Sequence, residues 1–238
     1  MNFDFLTQPV PTGEKATYLN WVLSGMGYTA ATGLTAFALA LVLGIALGIA
    51  RTRPGTVGKL TTSVFEVVRA IPLMAMLFLA YYVIPFVFFP EAVKHIAFMT
   101  LTLAAGISGL AVFTACRVSS HIYSSLTALA AGQQKAAQAL GFSTWQTYRL
   151  VLLPQALKRA MPALTNEFLS AMKNTSAIST IGLIELSRQT QNIIDNTSTI
   201  YEPFLVVMTG YLIVNGMVLL IMKTIDKHCF TKPNKETV

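Results

Sequence analysis

Few side chains in this sequence are placed to do chemistry. Glu167 and Lys173 are ionisable groups inside an otherwise charge-free stretch from Ala160 to Ile184, a weaker span candidate. Charges in such a setting are costly and tend to face a cavity or a partner. On a helix, Glu167 and Asn174 lie seven residues apart and share one face, while Asn166 and Lys173 share the adjacent one. Asn166, Glu167, Lys173 and Asn174 are therefore the candidates for contact with a polar solute. The competing reading is structural, with Glu167 and Lys173 paired to each other or to another subunit. Glu66 and Arg69 have the spacing of a local helix pair at an interface. His95, His121 and His228 are scattered, and no HExxH or CxxC offers a metal site. Neither a Walker A nor a G-x-G-x-x-G pattern is present. With no clustered nucleophile and base, the expectation is a chain that is not an enzyme and carries no cofactor or metal.

The elements that must hold these residues are membrane spans. Of 238 residues, 54% are hydrophobic and only 11% charged. Soluble domains average about 25% charged, so a disordered chain and an ordinary soluble enzyme are excluded. A bilayer crossing needs about 20 mostly apolar residues. Charge-poor runs place five spans, at about 19–50, 64–89, 96–130, 160–186 and 202–226, in a single transmembrane domain covering 1–238. The first is too long for a cleaved signal peptide and has no basic leader. Gly44 and Gly48 form a GxxxG within it, a signal of close helix packing. An odd number of spans puts the termini on opposite sides. With the N-terminus outside, three Lys/Arg fall outside and thirteen inside, Arg117 among them, with Lys173 in a span. The positive-inside rule therefore gives N-out, C-in. The net charge of +7 becomes a topology signal, and nucleic acid is not a partner. Residues 187–201 read as a polar outer loop. No internal repeat supports a secondary transporter.

The longest cytoplasmic stretch, about 131–159, looks too ordered for a linker. Gly132 to Leu140 has helix-forming composition, and Gly141 interrupts it. Ser143 is placed to cap a second helix, with Gln146 at the capping-box position; that helix, TWQTYRLVLL, is expected to end against Pro154. Ala136, Ala137 and Ala139 offer a small-residue face. On these residues alone, an amphipathic hairpin lying on the bilayer remains an equal alternative.

KAAQALG followed at the right distance by LP resembles the EAA loop of ABC importer membrane subunits. That pattern is Glu-Ala-Ala, a Gly four residues on, and a Leu-Pro about twelve after it. It falls here on Lys135, Ala136, Ala137, Gly141, Leu153 and Pro154. Gly132-Gln133, LPQAL, PALTNEF, SAMKNTSAISTIG and FEVVRAIPL resemble the polar amino-acid permeases, and VFTACRVSS with LVLLPQAL is most similar to glutamate/aspartate importer subunits. Two departures stand out: Lys135 replaces the family Glu, and HIYSSLTAL lacks the usual acidic residue and Arg.

The resemblance implies an all-α type I ABC importer transmembrane domain in a bacterial cytoplasmic (inner) membrane. It also implies a coupling loop, with Gln133, Lys135, Ala136, Ala137, Gly141, Leu153 and Pro154, docked on a cytosolic ABC ATPase dimer. A second permease subunit, an extracytoplasmic solute-binding protein and membrane lipids are the other implied partners. The implied substrate is glutamate or aspartate, with glutamine, basic amino acids or cystine as alternatives. Asn166, Glu167, Lys173 and Asn174 would lie along the substrate pathway.

Overall fold

The computed structural model describes residues 3–129 and 131–230. Ala130, at the end of the expected third span, and Lys232 and Lys235 of the basic tally lie outside the described residues. Among the described residues the fold is all-α, apart from one isolated antiparallel bridge between Pro9 and Thr17.

Among the described residues, three helices are long and apolar enough to cross a membrane. These are α1 (Tyr18–Arg51), α6 (Phe98–Thr127) and α11 (Tyr201–Ile225), the last continued by a π turn over Asp226–Phe230. The expected second span is broken. Helix α2 (Thr56–Arg69) stops at Ala70; Pro72 takes an extended ψ of 148° and leads into α3 (Leu73–Phe78), a π turn and α4 (Ile84–Phe88). A proline disfavours helix in the residue before it, which explains the break. Counted together, α2 and α3–α4 have the length and composition of a fourth crossing, but the pair is bent by 100° at the break. The short α5 (Pro90–Val93) follows.

The sequence expectation fails in three places. The stretch 160–186 is not one continuous helix. Helix α9 (Leu153–Asn174) passes into a 3-10 segment over Thr175–Ile181, left-handed Gly182 and an extended link. The charges on α9 keep it out of the strongly apolar set. Pro154 does not end a helix either. A π turn over Thr147–Leu152 precedes α9, and Pro154 sits in its first turn, where its missing N–H costs nothing. The outer stretch 187–201, read as a loop, is mostly helix α10 (Leu186–Thr197).

The described residues form two compact units. In the unit drawn from Met1–Ala38, Pro72–Ala111 and Leu169–Val218, one core gathers Leu77, Leu110, Ile178 and Leu183. A second packs Phe5 and Val10 of the N-terminal segment on Tyr18, Val22, Leu186 and Ile193. Glu185, fully buried, caps α10. Its carboxylate accepts from the amides of Ser187 (3.0 Å) and Arg188 (2.9 Å), from Tyr211 Oη (2.9 Å) and from Thr29 Oγ1 (3.4 Å). These bonds tie α10 to α1 and α11 and explain why so polar a segment is helical.

The other unit is drawn from Leu39–Ile71, Val112–Phe168 and Leu219–Val238. Its seam is α1 on α6, and the GxxxG reading holds. A methyl on Gly44 would lie 2.6 Å from Val118 Cβ, and one on Gly48 would lie 2.8 Å from Ile122 Cγ2. Only glycine lets the helices approach this closely.

Candidate functional site

Two stations, both in the second unit, hold Glu167 and the residues of the bend at Gly141; Lys173 and Asn174 belong to the first unit. The first is a buried carboxylate. Glu167 on α9 is 5% exposed. Arg117 of α6 grips it from both sides, Nε donating to Oε2 at 2.6 Å and Nη2 to Oε1 at 3.1 Å. His121, one turn further along α6, brings Nε2 to 3.1 Å from Oε1. A two-point guanidinium–carboxylate pair is among the strongest side-chain contacts and fixes orientation as well as charge. The pairing of Glu167 with Lys173 is therefore not what occurs. Arg117, counted with the inner charges, lies within α6, as the span at 96–130 implied. Asn166 and Lys173 are exposed and Asn174 is half-buried, so of the four candidates only Glu167 joins a polar cluster of this kind.

The fork to Glu167 uses two of the five N–H donors of Arg117. The same guanidinium borders a cavity of about 220 Å³, with Arg69, Ser120, Cys116, Phe65 and Phe113. Arg69 is itself anchored, its Nε 2.9 Å from Glu66 Oε2, the local pair its spacing implied. The cavity thus presents two guanidinium groups and a hydroxyl between two aromatic walls, with no carboxylate on its lining. Such a chamber suits a small anionic or zwitterionic solute. Sequence reasoning missed Arg117, His121 and Ser120. The available signal was the four-residue spacing of Arg117 and His121 within one span, which puts both on one helix face.

The second station is the bend at Gly141. Helix α7 (Ala131–Ala139) ends in a Schellman motif: Phe142 N donates to Ala137 O at 3.1 Å and Gly141 N to Gln138 O at 3.0 Å. Gly141 takes φ +85°, the left-handed conformation that motif needs. Two residues on, Ser143 opens α8 (Thr144–Gln146) with a complete capping box. Its Oγ accepts from Gln146 N at 3.3 Å, and its own N–H donates to Gln146 Oε1 at 2.8 Å. The expected helix, glycine bend and helix are all present. Of the small-residue face, Ala136 and Ala139 stay exposed while Ala137 turns inward. Lys135 and Pro154 are exposed; Gln133 and Leu153 are half-buried. The bend holds apolar side chains out in the open, with Leu140 78%, Trp145 64% and Leu150 59% exposed.

Residues 21–229 match the family described as binding-protein-dependent transport system inner membrane component. The chain belongs to that family, and so is an inner-membrane transport permease with a type I ABC importer fold rather than an enzyme. It is 32% identical over 235 residues to the glutamate/aspartate import permease protein of Escherichia coli K12, covering 95% of this chain and 94% of that one. It is 30% identical over 188 residues to the glutamine transport system permease protein of the same strain, covering 79% and 83%. Among solved structures it resembles an amino acid ABC transporter determined with histidines, at TM-score 0.72 and 26% identity over 88% of this chain and 94% of that one. The methionine ABC transporter MetNI, in an inward-facing conformation, shares the fold at TM-score 0.74 and 20% identity, covering 90% and 98%.

Proposed function

We propose that this chain is the membrane subunit of an ATP-driven importer of acidic amino acids, glutamate or aspartate. The observation that carries this reading is the cavity beside Arg69 and Arg117. Glu167 fixes Arg117 in place but leaves three of its donors for a solute carboxylate. The similarity to a glutamate/aspartate permease supports the same substrate. A glutamine importer is the second reading, favoured by the glutamine permease relative.

Lys173, with Asn166 and Asn174, would line the path and help balance the solute's side-chain charge. The segment at about 131–159 would dock on a cytosolic ABC ATPase dimer through Leu140, Trp145 and Leu150. Gln133, Lys135, Ala136, Ala137, Gly141, Leu153 and Pro154 would shape it. A second permease subunit and an extracytoplasmic solute-binding protein complete the assembly, with the N-terminus outside and the C-terminus in the cytoplasm.

Uptake of labelled glutamate in cells or vesicles, competed by unlabelled aspartate, glutamine, arginine and cystine, tests the substrate. Aspartate should compete as well as glutamate, and glutamine poorly. Lys173→Met should lower glutamate uptake with assembly intact, because an exposed side chain contributes within about 0.5 kcal/mol to stability. Equal competition by glutamine, or unchanged uptake in Lys173→Met, would overturn the acidic-substrate reading or the role of Lys173 respectively.

A further inference from the structure

The end of α1 and the start of α2 border a second cavity, shallow and open, of about 530 Å³, that plays no part in the pathway just described. Arg51, Arg53 and Lys59 line it, with the hydroxyls of Thr62 and Ser63 and two glycines, Gly55 and Gly58, of the first turn of α2. No carboxylate is on its lining. Aromatic rings, not acids, hold its arginines. The Arg51 guanidinium lies 3.6 Å from the Phe65 ring centroid and 4.5 Å from that of Tyr123, and Arg53 lies 5.2 Å from that of Tyr148. Ring faces position a cation without neutralising it. Arg51 Nη1 reaches Ser119 Oγ at 3.3 Å, but its Nε is buried with no hydrogen-bond partner. Gly55, the N-cap of α2, offers no side chain to the amides of the first turn. Three cationic side chains and two that carry hydroxyls therefore border one space, beside a helix N-terminus with no side-chain cap. Elsewhere Arg69, Lys94 and Arg117 each meet a carboxylate.

The helix that borders this cavity has a second feature. Val57, Leu60, Val64 and Val67 are 60%, 64%, 52% and 67% exposed. Their spacing of three, four and three puts them in one stripe, while Gly58 and Phe65 bury the far side. At 14 residues α2 is about 21 Å long, too short to cross a bilayer alone. A short helix with an apolar stripe and basic flanks lies in the membrane interface, and basic pockets at helix ends there accept anionic headgroups.

We propose that this cavity binds the phosphate of an anionic phospholipid, whose acyl chains run along the Val57–Leu60–Val64–Val67 stripe. The inference rests on the chain crossing a bilayer, not on the identity of its solute. The stripe distinguishes a lipid from a free phosphate, which would use the cations alone.

The test uses the purified full-length chain in its transporter complex. Retained phosphatidylglycerol and phosphatidylcholine are counted by native mass spectrometry after exchange from mixed vesicles of the two lipids, with and without millimolar inorganic phosphate. The wild type should retain phosphatidylglycerol in preference. Arg53→Gln/Lys59→Gln, at two exposed positions, should weaken that preference roughly 30-fold, about fivefold per cation. Lys59→Gln alone should give about a fivefold loss and serves if the double variant assembles poorly. Leu60→Asn/Val64→Asn should weaken retention of both lipids. Equal phosphatidylglycerol retention by wild type and charge variants would overturn the proposal. Displacement of the lipid by inorganic phosphate would assign the site to a free anion instead. Loss of a protein subunit from the charge variants, with lipid retention unchanged, would assign it to that subunit.

Discussion

Glu167 shows how one buried side chain can organise a site around itself. Its side chain is 7% exposed and that of its principal partner Arg117 is 51% exposed, so the pair joins a buried group to a half-exposed one. Removing the half-exposed partner is the damaging change. Arg117→Met leaves a buried carboxylate facing only His121, and breaking a buried pair costs about 3–5 kcal/mol. Solvent at the guanidinium brings the expected loss down to about 1–3 kcal/mol. Glu167→Gln keeps an acceptor in place and should cost less. In the double variant the orphaned charge is gone, so its thermal midpoint in detergent should recover toward that of Glu167→Gln. Uptake should stay low in all three, because the cavity loses either its cation or the group that aims it. A double variant no more stable than Arg117→Met would show that the contact contributes little.

At the scale of elements, the bend at Gly141 is the part most open to a decisive substitution. A Cβ there meets no atom within 4 Å, so the difficulty for any other residue is backbone, not crowding. A left-handed conformation costs an ordinary residue about 1–2 kcal/mol. Gly141→Val should leave the spans inserted and abolish uptake, whereas Gly141→Asn, which tolerates that conformation, should keep much of it. Uptake in vesicles and co-purification of the ATPase, measured together, separate loss of docking from loss of transmission. Normal uptake in Gly141→Val would remove the coupling role. This bend was legible in the sequence because a glycine C-cap and a Ser-x-x-Gln box are local signals. The three long apolar helices were legible for the same reason, as each announces itself within its own residues. Helix α10 was not, because its cap depends on Thr29 and Tyr211, which are distant in sequence. The clasp on Glu167 was hidden likewise, its partners lying 50 and 46 residues away. Pro154 misled because proline is read as a stop, whereas a π turn had already reset the helix start.

For the whole molecule, the distribution of Lys and Arg dictates which way the chain faces. A reporter fused after Val238 should read as cytoplasmic, and one inserted at 198–200 as external. The insertion belongs in that link rather than within α10, because Leu186, Gln189, Thr190 and Ile193 are buried. Placing Arg117 within α6 removes one charge from the inner tally but leaves its sign unchanged. A C-terminal reporter on the outside would overturn the layout.

The carboxylate of Glu185 also imposes an order on synthesis. Thr29 lies 156 residues before it, and Tyr211 lies 26 after it. A ribosome delivers the first hydroxyl early and the second near the end of the chain. Until α11 emerges, this acid lacks the phenol that completes its shell, and burying it would strand a charge in a dry place. The hydrogen-bond set that joins α10 to α1 and α11 is therefore complete only once the last helix is present. A transcript cut short before Tyr211 yields a chain that is apolar enough to enter the membrane yet still lacks that partner.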